Sequence, residues 1–196
     1  MPRPLRNGGQ APRSAVVLPD YLAPNLRVVF CGTVVAKRSA RVRHYYAGPG
    51  NEFWDYLYHA GLITVRLSYE DDARIIEFGV GLTDLGKYVS SSTDAGMSKH
   101  FDAAAFVDNM AANCPRWIAF NGKTAGEFVA KELGEIRSVE RLALGVQPWG
   151  IGEIPVFVAP SSSGSNRDAS GLEGKSARVD WYRELAGLLP PPARTT

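Results

Sequence analysis

The sequence predicts an α/β protein, a three-layer α/β/α sandwich around a mostly parallel sheet of four or five strands. Three observations predict it. Short unbroken apolar runs, LRVVFC at 26–31 and IPVFVA at 154–159, have the character of strands buried on both faces. Helical patterns alternate with these runs, the order that builds parallel sheets with crossover helices. The length, 196 residues with 45% hydrophobic and 21% charged side chains, fits one domain with a substantial core.

The elements follow in order. Residues 1–19 read as a flexible basic arm rich in Pro, Gly and Arg, residues 20–189 as the single domain, and 190–196 as a tail. Leu26–Cys31 is the first strand. Asn51–Ala60 reads as a helix with Asn51 as N-cap and Phe53, Trp54, Leu57 and Tyr58 inward. Tyr69–Glu77 is a second helix, capped by Ser68 and lying on the outside with its acidic residues. Val80–Leu85 is a short strand, and Asp102–Asn113 a helix that stops before Cys114-Pro115. Trp117–Asn121 is a strand, Ala125–Leu133 a helix, Ile154–Ala159 the last core strand, and Val179–Leu188 the closing helix.

Composition excludes several classes. No apolar run is long enough to span a membrane, and the N-terminal segment has arginines but no apolar h-region. The two cysteines, Cys31 and Cys114, suggest neither a disulfide framework nor a zinc site, and an iron–sulfur cluster needs four. Neither metal nor cofactor is expected, and the setting is expected to be reducing and cytoplasmic, for a monomer. The net charge of +2 is small, but it is unevenly spread. Arg3, Arg6 and Arg13 share residues 1–19 with no acid, and Lys37, Arg38, Arg41 and Arg43 follow the first strand. Such patches suit salt-sensitive attachment to phosphates.

Ligands of open α/β sheets bind beyond the carboxyl ends of the strands. Three strand ends therefore matter: Gly32–Ser39, Thr83–Lys87 and Pro160–Arg167. The stretch Arg27–Trp54 is the richest, RVVFCGTVVAKRSARVRHYYAGPGNEFW. It brings a glycine turn, positive charge and aromatic faces to one strand end. That combination suits a site holding a nucleic-acid base beside its phosphate; it equally suits an ordinary strand followed by a solvated basic loop.

This stretch resembles the mismatch-specific uracil and thymine DNA glycosylases of the uracil-DNA glycosylase superfamily. There VVFCG is followed by I-N-P-G, an aromatic residue and N-x-F-W; here Val28–Gly32, Asn51, Phe53 and Trp54 match without a gap. The likeness continues through GVGLTDL (79–85), WIAFNGK (117–123) and VFVAPSSSG (156–164), spanning about Leu22 to Leu189. It implies a repair enzyme acting on DNA near the nucleoid by base flipping, with damaged, mismatched or single-stranded DNA as partner. By position it makes Tyr46 the stacking platform and Thr33, Val34 and Ser39 base neighbours, with N–H groups of Thr33–Ala36 as donors to a base carbonyl. Lys37, Arg38, Asn51, Ser161, Ser162, Ser163, Gly164 and Arg167 become DNA contacts.

The chain departs from this pattern where the chemistry lies. The I-N-P-G segment is Thr33-Val34-Val35-Ala36, so the water-positioning asparagine is Val34. The later N-P-S-G is Ala159-Pro160-Ser161-Ser162, and the apolar wedge beyond it is the polar Ser163-Gly164-Ser165-Asn166. Asp84 is the candidate replacement. A carboxylate there can orient water or hold oxocarbenium charge, or, when protonated, bond a base carbonyl; alternatively it caps a turn. His100, Asp94 and His44 are lesser candidates, and His59 reads as structural. No lysine is evidently placed for a Schiff base; Lys37 and Lys87 suit phosphate contacts. Two other readings stay open: a lesion- or abasic-DNA-binding protein without catalysis, and a hydrolase or nucleotide-binding domain. The second lacks any G-x-S-x-G, Walker or G-x-G-x-x-G segment.

Overall fold

The computed structural model describes residues 15–137, 140–164 and 174–192. Its strands are β1 (Val28–Val35), β2 (Val80–Ser90), β3 (Ile118–Asn121), β4 (Gly145–Ile151) and β5 (Ile154–Ala159). Its helices are α1 (Lys37–Val42), α2 (Phe53–His59), α3 (Ala103–Asn113), α4 (Lys123–Glu132) and α5 (Arg178–Leu188). Single 3-10 segments cover Tyr69–Phe78 and Ser98–His100. The sheet order is β2-β1-β3-β5-β4, parallel except for β4 against β5. The expected sandwich is thus present, with five strands.

Register decides which side chains meet. Phe30 pairs with Leu82 and Ala119, and Ala119 with Phe157, so these face one side. There Phe30 packs edge-on against Phe53 of α2 and stacks on Tyr182 of α5, and Phe157 meets Trp181. One residue along, Cys31 pairs with Phe120 on the other side, where Phe120 meets Phe106 of α3. Cys31 is a buried free thiol, as its apolar strand suggested.

Several elements differ from the sequence reading. β1 does not turn at Gly32 but runs on to Val35. β2 is eleven residues long; between the pairs Val34–Gly86 and Val35–Ser90 it carries Lys87–Val89 as an insertion. The basic segment is the short helix α1 rather than a loop, closed by Arg43 at φ 68°. Helix α2 buries Tyr56 and leaves Tyr58 39% exposed, the reverse of the expected choice. Tyr56 packs against Tyr182 and donates its hydroxyl to Glu52. Strand β4 was missed. Pro148 argues against a central strand, but β4 is an edge, where a missing N–H costs nothing. Gly152 (φ 60°) and Glu153 close its hairpin to β5.

The ends of the domain also shift. Residues 1–14 and 193–196 lie outside the described residues. Within the arm placed at 1–19, Leu18 is buried and the Val17 N–H donates to the Lys87 carbonyl. Tyr21 continues this contact with an antiparallel bridge to Leu82. At the other terminus, the Pro190 carbonyl accepts from Arg27 Nε at 2.6 Å. Among the described residues no helix is long and apolar enough to cross a membrane.

Candidate active site

The chain order places β2 on one side of β1 and β3 on the other, so the connections diverge between β1 and β3. A crevice opens there beyond the carboxyl ends, as expected for such sheets. Here it is a cleft of about 710 Å³, lined by residues 32–36, Ser39, Tyr45, Tyr46, Asn51, Asp84, 91–94, 121–124, Leu144, 160–163 and Arg178. The three strand ends singled out from the sequence converge in it.

Its floor is set by register. Asp84 pairs with Gly32, and Asn121 with Ala159, in the same alternation as Phe30 and Phe157. These four residues cross the sheet on the α2/α5 side, just below the cleft. Gly32 is indispensable in that row: a Cβ there would sit 2.3 Å from Asp84 Oδ1 and 3.6 Å from the Tyr46 hydroxyl. Asp84 is 5% exposed, and its Oδ2 is buried without a hydrogen-bond partner. Burial raises its pKa to about 7; Lys87 pulls it down, while Asp20 and Asp94 push it up. It caps no turn but lies mid-strand, so the capping alternative falls. Gly32→Ala is expected to displace this carboxylate. With the carboxylate pushed out of its buried position, the fall of the melting temperature between about pH 4 and 7 should weaken, while circular dichroism stays native.

Tyr46 forms the wall above Asp84. Its ring stacks on Phe53 at 3.8 Å between centroids and 24° between planes, and the half-buried residue lines the cleft. Its backbone is left-handed, φ 54°, a conformation a bulky residue keeps only when its surroundings impose it. Two anchors do so. Buried Asp72 accepts the Tyr45 N–H on Oδ2 at 2.8 Å, and its Oδ1 meets Tyr21 Oη and His44 Nδ1, each at 3.1 Å. Buried Ser39 accepts the Ala47 N–H on Oγ at 3.0 Å. The Tyr46 hydroxyl is buried; Asn121 is near, yet no hydrogen bond of acceptable geometry forms. Burial and the Asp84 charge push its pKa well up.

The remaining sequence candidates divide. Thr33 and Val34 line the cleft; Thr33 donates to Asp94 at 2.5 Å, and Val34 packs across Gly86. Asn51 lines it too, accepting the Phe53 N–H at 3.0 Å although the helix itself starts at Phe53. Lys37 and Arg38 are exposed on α1, outside the cleft lining. Ser161 and Ser163 are on the rim and half-buried, with Gly164 against Gly50. Ser162 corrects the expectation of a phosphate contact. It is buried, bonded through N–H and Oγ to Asn121 at 3.1 and 2.9 Å, and its carbonyl accepts from Glu52 at 3.0 Å. It braces the cleft wall instead. Arg167 lies outside the described residues, as do Ser165 and Asn166 of the expected wedge segment. His59 and His100 are exposed.

Sequence reasoning missed Asn121 and Asp72. Asn121 ends a core strand, so the strand-end rule applied to β3 would have found it. It also accepts the Tyr182 hydroxyl at 3.0 Å. Asp72 sat within an acidic run read as an outer face, and no local signal separates it from its exposed neighbours. Arg178 opens α5 at the cleft edge, 3.9 Å from Glu52.

Comparison with known proteins agrees with this geometry. The chain is similar to a candidate uracil DNA glycosylase from Methanosarcina acetivorans, whose solution NMR structure is 25% identical, with a TM-score of 0.57. The match covers 86% of this chain and 96% of that one. The profile of the Uracil DNA glycosylase superfamily matches residues 19–186. With the sheet order, the cleft at its divergence and most of the chain in register with that profile, the protein belongs to the uracil DNA glycosylase superfamily.

Proposed function

We propose that this protein is a monofunctional DNA glycosylase of mismatch-specific type, which flips uracil or a related deaminated base from DNA, hydrolyses its N-glycosidic bond and leaves an abasic site. The observation that carries this reading is Asp84: a carboxylate oxygen buried without a partner on the cleft floor. Native proteins seldom leave such a group unsatisfied unless a ligand, water or reaction uses it.

In the proposed reaction the flipped base lies on the free face of Tyr46, a stacking contact worth roughly 1–3 kcal/mol. Water attacks C1′ as the N-glycosidic electron pair leaves with the base. Asp84 takes the water proton, and its charge supports the oxocarbenium-like sugar. The departing base anion is protonated from solvent. Thr33, Ser39 and backbone groups by Val34 supply hydrogen bonds to the base edge. Ser161, Ser163 and Gly164 on the rim, with Lys37 and Arg38 on α1, hold flanking phosphates.

With polar residues in place of an apolar wedge, extrusion from stable pairs should be poor. Uracil in single strands or in U·G is therefore expected to be released at least several-fold faster than in U·A. Single-turnover cleavage of labelled oligonucleotides carrying each of these, then xanthine and hypoxanthine, tests both the activity and this ranking. Equal rates in single strands and U·A would remove the extrusion argument. A lesion-binding role without catalysis is the second reading, favoured by Val34 and Ala159, neither of which can orient water. Lesion binding with no base release across the panel would establish it.

A further inference from the structure

Two buried polar side-chain atoms without partners belong to the same spot. Among the described residues only Tyr46 Oη, Asp84 Oδ2 and Trp149 Nε1 are in this state. Trp149 is on β4, but the first two flank Gly32. A Cβ on Gly32 would clash with Oδ1 of this same Asp84 carboxylate at 2.3 Å and lie 3.6 Å from Tyr46 Oη, so the carboxylate and the hydroxyl approach each other over this glycine. A stacking platform needs no hydroxyl, and burying one unpaired costs about 1–3 kcal/mol. The strained backbone at Tyr46 adds to that cost. A third group shared by both atoms would resolve both penalties at once.

Building on the glycosylase reading above, we infer that Tyr46 is a catalytic residue as well as a platform: its hydroxyl and the Asp84 carboxylate together hold the attacking water beside Gly32. The water donates one hydrogen to Asp84 and the other to Tyr46 Oη. A lone pair is then left facing C1′ of a base stacked on the same ring. As the C1′–O bond forms and the C1′–N bond breaks, the first hydrogen passes to Asp84 as a proton. Tyr46 transfers no proton; its hydroxyl only fixes the orientation. The phenol is well suited to this, because burial and the neighbouring carboxylate keep it un-ionised. Val34 then needs no replacement within its own strand, since two side chains from β2 and the 44–47 loop do the orienting.

The test is Tyr46→Phe, which keeps the ring and its stacking on Phe53. Single-turnover release of uracil from single-stranded DNA, measured at saturating protein, should fall 10- to 100-fold. Affinity for DNA carrying a non-cleavable uracil analogue should stay within twofold. In an Asp84→Asn background the same change should cost less than threefold, because the water is already lost; a merely structural tyrosine would cost the same in both backgrounds. Tyr46→Phe at the wild-type rate, or an equal loss in both backgrounds, overturns the inference and leaves the glycosylase reading standing. Absence of base release by the wild-type protein over the whole panel overturns both.

Discussion

Asp84→Asn is expected to lower single-turnover base release by about 10²–10⁴-fold, the range associated with loss of a general base, and to make the protein more stable at neutral pH. The two effects have one origin. In the unfolded chain Asp84 titrates near its ordinary value of 3.8, but burial raises it to about 7 in the fold. Below pH 4 both states hold the proton and the residue costs nothing through ionisation. Between about pH 4 and 7 the unfolded chain releases the proton and the native state keeps it, so stability falls as pH rises. One pKa unit is worth about 1.4 kcal/mol, so the loss reaches a few kcal/mol by neutral pH. Asparagine removes this slope. The variant's melting temperature should exceed that of the wild type at pH 8 and match it near pH 4. Base release by the wild type should rise with pH through about 7 if the carboxylate is the working form. A fall over that window would assign catalysis to the neutral acid, donating to a base carbonyl.

Arg27→Met is expected to destabilise the fold strongly while sparing chemistry. Arg27 is 8% exposed at the start of β1, at the end of the sheet away from the cleft. Among the described residues it has no carboxylate partner. Its guanidinium donates to the carbonyls of Leu62 and Phe78, each at 3.0 Å, and of Pro190 at 2.6 Å. It thereby ties the segment after α2, the end of the 3-10 helix and the segment after α5 to one strand. Its stem lies over Gly79, where a Cβ would come within 2.9 Å of Arg27 Cδ. Methionine fills similar space but strands these carbonyls, at about 1–3 kcal/mol each where water cannot reach. A total loss of about 3 kcal/mol or more is a large share of the 5–15 kcal/mol usual for a domain. Urea unfolding should show the midpoint falling by at least about 1 M with little change in slope. Base release at low temperature should remain near wild type; an unchanged midpoint would show that water satisfies all three carbonyls.

How much was legible in the sequence follows from the range of the forces involved. The four parallel strands could be read because strands buried on both faces must be apolar throughout. The second half of β2 could not: Gly86 and Lys87 break the apolar run, and pairing there depends on Val34 and Val35 fifty residues earlier. Helix α1 was hidden for the opposite reason, since KRSARV has no broad apolar face, and only Ser39 is buried. That Asp84 and Tyr46 line the cleft could be read because strand ends and motif order point to them. Ser162 was misjudged because its role depends on Asn121, forty-one residues away. An exposed serine turn and a buried serine brace look alike in a linear string.

The segment at residues 17–21 has a bearing on how this chain survives in a crowded solution. β2 is the outermost strand of the sheet, and a bare outer strand invites pairing with another molecule. Val17 and Tyr21 occupy part of its free hydrogen-bonding side, and Leu18 anchors them in the core. The opposite border is blunted differently, by Pro148 in β4 and the register break between Val146 and Gly150. Both flanks are thus hindered in self-templated sheet growth, one by a stretch of its own chain and the other by a residue that has no N–H to offer.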